Sequence, residues 1–236
     1  MKFSFIHFGR DNDFKRAKWL KEKLQEISAG LSILDAGAGQ LRNKKNCNHL
    51  KYVSQDFCEY SGVGDGTSIQ TGDWDTSKID IISDIVSIPV DDNSFDVVLC
   101  SEVLEHIPDP NKALVELARI TRNNGLIILT APFASLSHFA PFHYASGFSK
   151  YWYEKNLSDL GFVIIEITPN GSWFDFIAQE IYRAPWVGKT YSSVVLGFLF
   201  LFLSLPLLIV LRIMKWLDSG SSELLAYGWQ VVARKN

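Results

Sequence analysis

Apolar positions along the chain recur with two different periods. At residues 13–28, Phe14, Ala17, Leu20, Leu24 and Ile27 fall three or four apart, the spacing of an amphipathic helix that Gly30 ends. The same period returns at 111–123, with Leu114, Leu117, Ala118 and Thr121 on one side. Gly125 is expected to stop that helix in a left-handed conformation. A third helix, 150–160, carries Tyr151, Trp152 and Leu157. Between these lie short stretches at 31–34, 52–55, 79–85, 93–101, 126–130 and 162–167 that read as strands, the first of them an apolar run that reads as buried. Strands alternating with helices predict an α/β fold with a doubly wound, mostly parallel sheet. Only residues 41–50 are left for the first crossover helix, and the candidate for a last strand is 227–233.

One stretch breaks the pattern. Of the eighteen residues 194–211, fifteen are Leu, Ile, Phe or Val; the exceptions are Gly197, Ser204 and Pro206. This run accounts for the mean hydropathy of +0.05, high for a chain of this type. Arg183 and Lys189 precede it, Arg212 and Lys215 follow it, and Trp186, Tyr191 and Trp216 flank it as interfacial aromatics do. The 22 uncharged residues 190–211 are long enough to cross a bilayer once. A single crossing, however, would separate 227–233 from the sheet that it should complete. The expected arrangement is therefore a shallow hairpin, bent at Pro206, that leaves the membrane on the side it entered. If 227–233 is no strand, a single-pass anchor is the better reading. The division expected is a core at 1–169, an apolar membrane-associating insertion at 170–224, and the last core strand at 225–236. Membrane contact is expected through 190–216, on the cytoplasmic face.

The net charge of −3 and the lack of a basic stripe give no reason to expect nucleic acid as a partner. Cys47, Cys58 and Cys100 are well separated and form no C-x-x-C pair, so neither a disulfide framework nor a metal site is expected. The first ten residues lack an apolar stretch long enough for a signal peptide.

The candidate chemistry begins where the first strand ends, at Asp35-Ala36-Gly37-Ala38-Gly39. Glycines there allow a sharp turn and a close backbone approach to a nucleotide. A dinucleotide fingerprint needs a third small residue where Arg42 stands, which argues against a nicotinamide dehydrogenase. Asp56, 21 residues beyond Asp35, ends the second strand, where a carboxylate is placed to accept hydrogen bonds from ribose hydroxyls. The fourth strand continues through Phe95-Asp96-Val97-Val98 into Glu102-Val103-Leu104-Glu105-His106-Ile107. Together these stretches resemble the class I S-adenosylmethionine (SAM)-dependent methyltransferases that modify small molecules and lipids. The resemblance covers about residues 14–169 and the final strand. It implies a Rossmann-like, seven-stranded sheet and SAM as cofactor. Asp35, Gly37, Gly39, Asp56, Asp84, Ile85 and Ser101 would line its site, with Asp84 on the adenine amino group and Ile85 near the ring. Leu41 departs from the family, which often has glycine there.

Methyl transfer from a sulfonium mainly requires that nucleophile and methyl be held in line. A base is needed only when the acceptor must lose a proton, as a hydroxyl would. The strand count brings His106, His138 and His143 to the ligand edge of the sheet as candidates for that role. The acceptor expected is a small or lipid-linked molecule. A SAM-binding scaffold without turnover is the alternative from another class.

Overall fold

The computed structural model describes residues 8–66 and 68–236 and divides into two compact units. One is Lys18–Thr168 with Gly228–Asn236; the other is the chain up to Ala17 with Pro169–Tyr227.

The first unit is built on a seven-stranded sheet. In chain order the elements are α1 (Asn12–Gln25), β1 (Ser32–Ala36), β2 (Lys51–Asp56), β3 (Ile81–Ile82), β4 (Phe95–Ser101), α2 (Pro110–Ile120), β5 (Thr121–Pro132), α3 (Lys150–Asp159), β6 (Phe162–Asn170) and β7 (Gly228–Lys235). The strand order is β3-β2-β1-β4-β5-β7-β6. β1 lies parallel to β2 and β4, β5 parallel to β4, and β7 antiparallel to β5 with Thr130 opposite Gln230.

The continuous apolar runs follow from burial on both faces. Ile33, Val97, Leu99, Ile128 and Val232 pack with Leu20, Leu24 and Ile27 on one side. Their chain neighbours Leu34, Val98, Cys100, Ile127, Leu129 and Val231 pack with Leu114, Leu117 and Tyr153 on the other. Period-two alternation sends adjacent residues to opposite cores, so both positions must be apolar.

Two serine–aspartate clasps hold strand starts in register. Asp96 Oδ2 accepts from Ser32 N (2.8 Å) and Ser32 Oγ (2.7 Å), and its own N–H donates back to Ser32 Oγ at 3.0 Å. Asp80 and Ser54 repeat the pattern one strand over. Partial burial raises the Asp96 pKa, but the Ser32 donors and Arg122 outweigh it and bring the carboxyl down to about 2. A folded pKa below the unfolded one stabilises fully above the unfolded value and is lost as pH falls toward the folded one. Asp96→Asn is therefore expected to cost at most about 2 kcal/mol near neutrality, less for the solvent that still reaches the pair. Urea melts between pH 7 and pH 2 check this: the gap between wild type and variant should narrow below about pH 4.

Several local expectations are corrected. The crossover at 41–50 is helical only over Lys44–Asn46, because Arg42 to Asn46 are all polar and supply no apolar stripe. The strand expected at 79–85 shrinks to Ile81–Ile82. It is an edge strand, where Asp80 is held by Ser54 and Asp84 turns the chain by accepting from Val86 N at 3.1 Å. α2 ends at Ile120, and the left-handed residue is Asn124 (φ 62°) rather than Gly125. Gly125 is needed for space, since a Cβ there would lie 2.8 Å from Arg122 O and 2.9 Å from Asp96 O. Phe14, assigned to the buried face of α1, is 70% exposed.

The second unit is a helical hairpin, α4 (Trp173–Tyr191) and α5 (Val194–Trp216), turning at Ser192 and Ser193. The bend expected at Pro206 does not occur. Proline's φ is a helical value, so α5 runs through it at the loss of one hydrogen bond. The buried positions of α5 are Gly197, Ser204, Leu208 and Leu211, spaced seven, four and three apart along one stripe. Gly197 lets the helices touch: its Cβ would lie 2.9 Å from Lys189 N and Pro185 O. Capping comes from Ser193 Oγ on α5 and from a Ser172–Asp175 capping box on α4. Most of α5 is exposed, including Val195, Phe198, Phe202 and Leu205, and it is the one described helix long and apolar enough to cross a membrane. The unit opens and closes at one point, where Tyr227 N donates to Asn170 O at 3.0 Å.

Candidate active site

β1 ends in a turn that needs its glycines. Gly37 and Gly39 have φ of 73° and 49°, and a Cβ would lie 2.4 Å from a Val103 methyl at Gly37 and 2.6 Å from the Trp74 ring at Gly39. The turn is fastened to the end of β2: Gly37 N and Ala38 N donate to Gln55 O, and Gly39 N donates to Asp56 Oδ2 at 2.9 Å. Asp56 Oδ1 accepts from Cys58 N at 2.9 Å, so this carboxylate shapes two loops at once. Each of its oxygens retains a second lone-pair direction. Leu41 adopts φ 59°, the left-handed region where the family often places glycine.

Asp35 is 1% exposed and accepts from Tyr52 Oη at 2.8 Å and Asn43 Nδ2 at 3.5 Å. Burial raises its pKa to about 6, with those two donors opposing the rise. At the ends of β4 and β5, Ser101 Oγ and Thr130 Oγ1 are 2.8 Å apart, and Thr130 Oγ1 donates to Glu102 Oε1 at 2.9 Å. Glu102 has φ 57°, a left-handed conformation costly for a side chain of its size. Ile85 is buried in the core beneath this edge, whereas Asp84 is exposed.

The three histidines converge. A single 3-10 turn after β4, Leu104–His106, supplies His106; the irregular stretch 133–148 after β5 supplies His138 and His143. Ring centroids are 4.7 Å apart for His106–His138 and His138–His143, and 6.0 Å for His106–His143. The stretch is pinned from two sides. Tyr144 N and Ala145 N donate to Glu105 O at 2.9 and 3.2 Å, and Phe139 N donates to Ile69 O at 3.0 Å. Burial, followed by the neighbouring His138, lowers His106 to about 3, so its ring is neutral at physiological pH. Burial and His138 also lower His143.

Sequence reasoning did not single out several residues at this edge. Glu105 is fully buried, with Oε1 3.7 Å from His106 Nε2 and 3.9 Å from His138 Nε2. Trp74, the lone tryptophan of a polar loop, packs edge-on to Tyr60 and Phe139 at 5.5 and 5.3 Å. Phe139 stacks on Tyr60 at 4.5 Å and on His106 at 4.8 Å. An aromatic row thus links the glycine turn to the histidines. An isolated aromatic in a Gly/Asp/Ser/Thr-rich loop was the available signal for Trp74; a buried acid beside a histidine leaves none.

Residues 34–129 match the family model described as "Methyltransferase domain". A demethylmenaquinone methyltransferase of Renibacterium salmoninarum is 40% identical over 132 residues, 53% of this chain and 51% of that one. A ubiquinone/menaquinone biosynthesis C-methyltransferase of Bdellovibrio bacteriovorus is 31% identical over 121 residues, 47% and 49% of the two chains. The chain spans about half the length of these curated relatives. Among solved structures, Haemonchus contortus phosphoethanolamine N-methyltransferase 2 in complex with SAM matches with TM-score 0.53 and 16% identity over 94% of this chain and 52% of that one. The [4+2]-cyclase SpnF matches with TM-score 0.54 and 15% identity over 94% and 80%. Both establish likeness of fold. With the strand order β3-β2-β1-β4-β5-β7-β6 and the glycine turn at the carboxyl end of β1, the chain has the fold of the class I SAM-dependent methyltransferases, and its residues 34–129 are those that match the methyltransferase-domain model.

Proposed function

We propose that this protein transfers a methyl group from SAM to a small or lipid-linked acceptor, with a hydroxyl favoured, at a membrane surface. The observation that carries the reading is the Gly37/Gly39 turn, clamped by Asp56 at the edge where open α/β sheets take their ligands. The cradle fits the cofactor: both glycines are sterically required, Asp56 has lone pairs for ribose hydroxyls, and Asp35 is a buried acid beside the turn. Ser101, Asp84 and Ile85 complete the set assigned to it. Bound there, SAM supplies an electrophilic methyl carbon on a positively charged sulfur.

The chain's own task is then positioning and proton handling. The His106, His138 and His143 cluster is assigned to the acceptor side. A neutral imidazole whose Nδ1–H is tied to a backbone carbonyl has Nε2 available to receive a hydroxyl proton. Similarity to quinone methyltransferases supports a small apolar acceptor. The exposed apolar surface of α5 supports action at a bilayer, and the meeting of Asn170 with Tyr227 supports a hairpin that leaves on the side it enters.

Radiolabelled SAM incubated with the protein and a membrane lipid extract should give a labelled lipid on chromatography; absence of label in lipid and water-soluble fractions alike would favour a scaffold. Asp56→Ala is expected to weaken SAM binding by about 1.5–3 kcal/mol, read by calorimetry. For topology, single-cysteine variants at Ser192 and Ser219 in intact cells should both resist an impermeant thiol reagent applied from outside. Labelling at 192 alone would instead mean that α5 crosses the bilayer.

A further inference from the structure

We propose that His106, His138, His143 and Glu105 form a binding site for one divalent cation of the zinc type, in which the cation holds the acceptor oxygen. This deepens the acceptor-site reading above: with the cation bound, the Nε2 lone pairs hold it in place of receiving the hydroxyl proton themselves, and the reading carries the cation's role but not its binding.

The tautomers are set by the backbone. His106 Nδ1 lies 2.5 Å from Phe142 O, and His138 Nδ1 lies 2.8 Å from Leu136 O. A carbonyl oxygen only accepts, so both Nδ1 atoms carry the proton and both Nε2 atoms present a lone pair. That is the arrangement by which metal-binding histidines are commonly oriented. Both Nε2 atoms lie near one carboxylate oxygen, Glu105 Oε1, at 3.7 and 3.9 Å. These separations exceed a hydrogen bond. Two ligand atoms each about 2.1 Å from a shared tetrahedral ion stand about 3.4 Å apart, only a few tenths closer.

His143 is an independent observation. Its Nδ1 and Nε2 are both buried from solvent and have no hydrogen-bond partner among the described residues. A buried imidazole without partners is costly, and a cation ligated by either nitrogen removes that cost. One donor nitrogen from each histidine lies within 4.8 Å of the others, so small side-chain rotations gather all three. The stretch that carries His138 and His143 is fastened at Glu105 O and Ile69 O, which keeps the ligands near one another in advance of binding.

Three imidazoles and a carboxylate are a borderline-soft donor set that suits zinc, cobalt or nickel better than magnesium or calcium. Zinc can extend to a fifth ligand when substrate arrives, and an acceptor hydroxyl bound there would have a lowered pKa and lose its proton to solvent water before or as the methyl group is transferred.

The test uses the purified full chain, stripped with chelator and dialysed. Titration with Zn²⁺ should show one equivalent bound, with Mg²⁺ giving no heat. Co²⁺ should give visible d–d bands of a four- or five-coordinate nitrogen-ligated ion. His138→Ala, His143→Gln and Glu105→Gln should each weaken Zn²⁺ by ~100-fold or more, beyond the 10–100-fold effect of partners that only orient ligands. His49→Ala, whose ring contacts Ile27 O away from the cluster, should bind as wild type does. Circular dichroism checks that each variant is folded. The Co²⁺ spectrum of the wild type stands even if a variant is not. Failure of the wild type to bind Zn²⁺ or Co²⁺, or equal loss in His49→Ala, overturns the site. Methyl transfer that persists after chelation would overturn the cation's role while leaving the methyltransferase reading intact.

Discussion

A Gly37→Val protein is expected to show no measurable SAM binding. The position has φ 73°, a region that β-branched residues essentially avoid, and its Cβ would start 2.4 and 2.7 Å from the two methyl groups of Val103. Val103 cannot retreat freely, because the next residue, Leu104, is wholly buried in the core. The turn must therefore change shape, and with it the backbone N–H groups of Gly37 and Ala38 that are fastened to Gln55 O. Calorimetry against SAM is the direct measurement, and a thermal melt separates loss of the site from loss of the fold. Wild-type affinity in a folded Gly37→Val protein would mean that the turn does not hold the cofactor.

The second large effect is expected at the histidines. If the acceptor is a hydroxyl, alanine at His106, His138 or His143 should lower kcat by about 10²–10⁴. His138 is the most informative of the three, since its ring is partly exposed and its loss leaves no hole in the core. SAM affinity in His138→Ala should stay near that of the wild type, so the loss should appear in kcat and not in the KM for SAM. Full turnover in all three variants would remove imidazole from the mechanism and leave positioning alone.

The core strands and α2 were legible because burial on both faces of a sheet writes itself as uninterrupted apolar runs. The glycine turn was legible because a left-handed angle and the lack of room for a Cβ coincide at Gly37 and Gly39, and glycine alone meets both demands. What escaped the sequence was decided by partners distant along the chain. Residues 79–85 have the composition of a strand, yet Asp80 is captured by Ser54 and the ladder closes after two residues. Gly125 looks like a helix stop but serves close packing, while Asn124 takes the left-handed angle. Pro206 looks like a bend, yet the apolar helix propagates through it to Trp216. Glu105 was invisible as a site residue because nothing in its neighbours announces that its carboxylate is fully buried near His138, an imidazole from a loop more than thirty residues away.

The position of β7 has a consequence for how the protein is made. β7 lies between β5 and β6, but the whole α4–α5 hairpin is translated after β6 and before β7. At 5–20 residues per second the ribosome takes roughly 3–11 s to cover that interval. Throughout it, β5 presents an open ladder on the side that β7 will occupy, and β6 is the nearest strand available to pair there wrongly. An apolar helix is meanwhile emerging from the exit tunnel before its sheet can close. α5 is therefore complete before β7 is made, and the sheet is finished only after the apolar helix has left the ribosome.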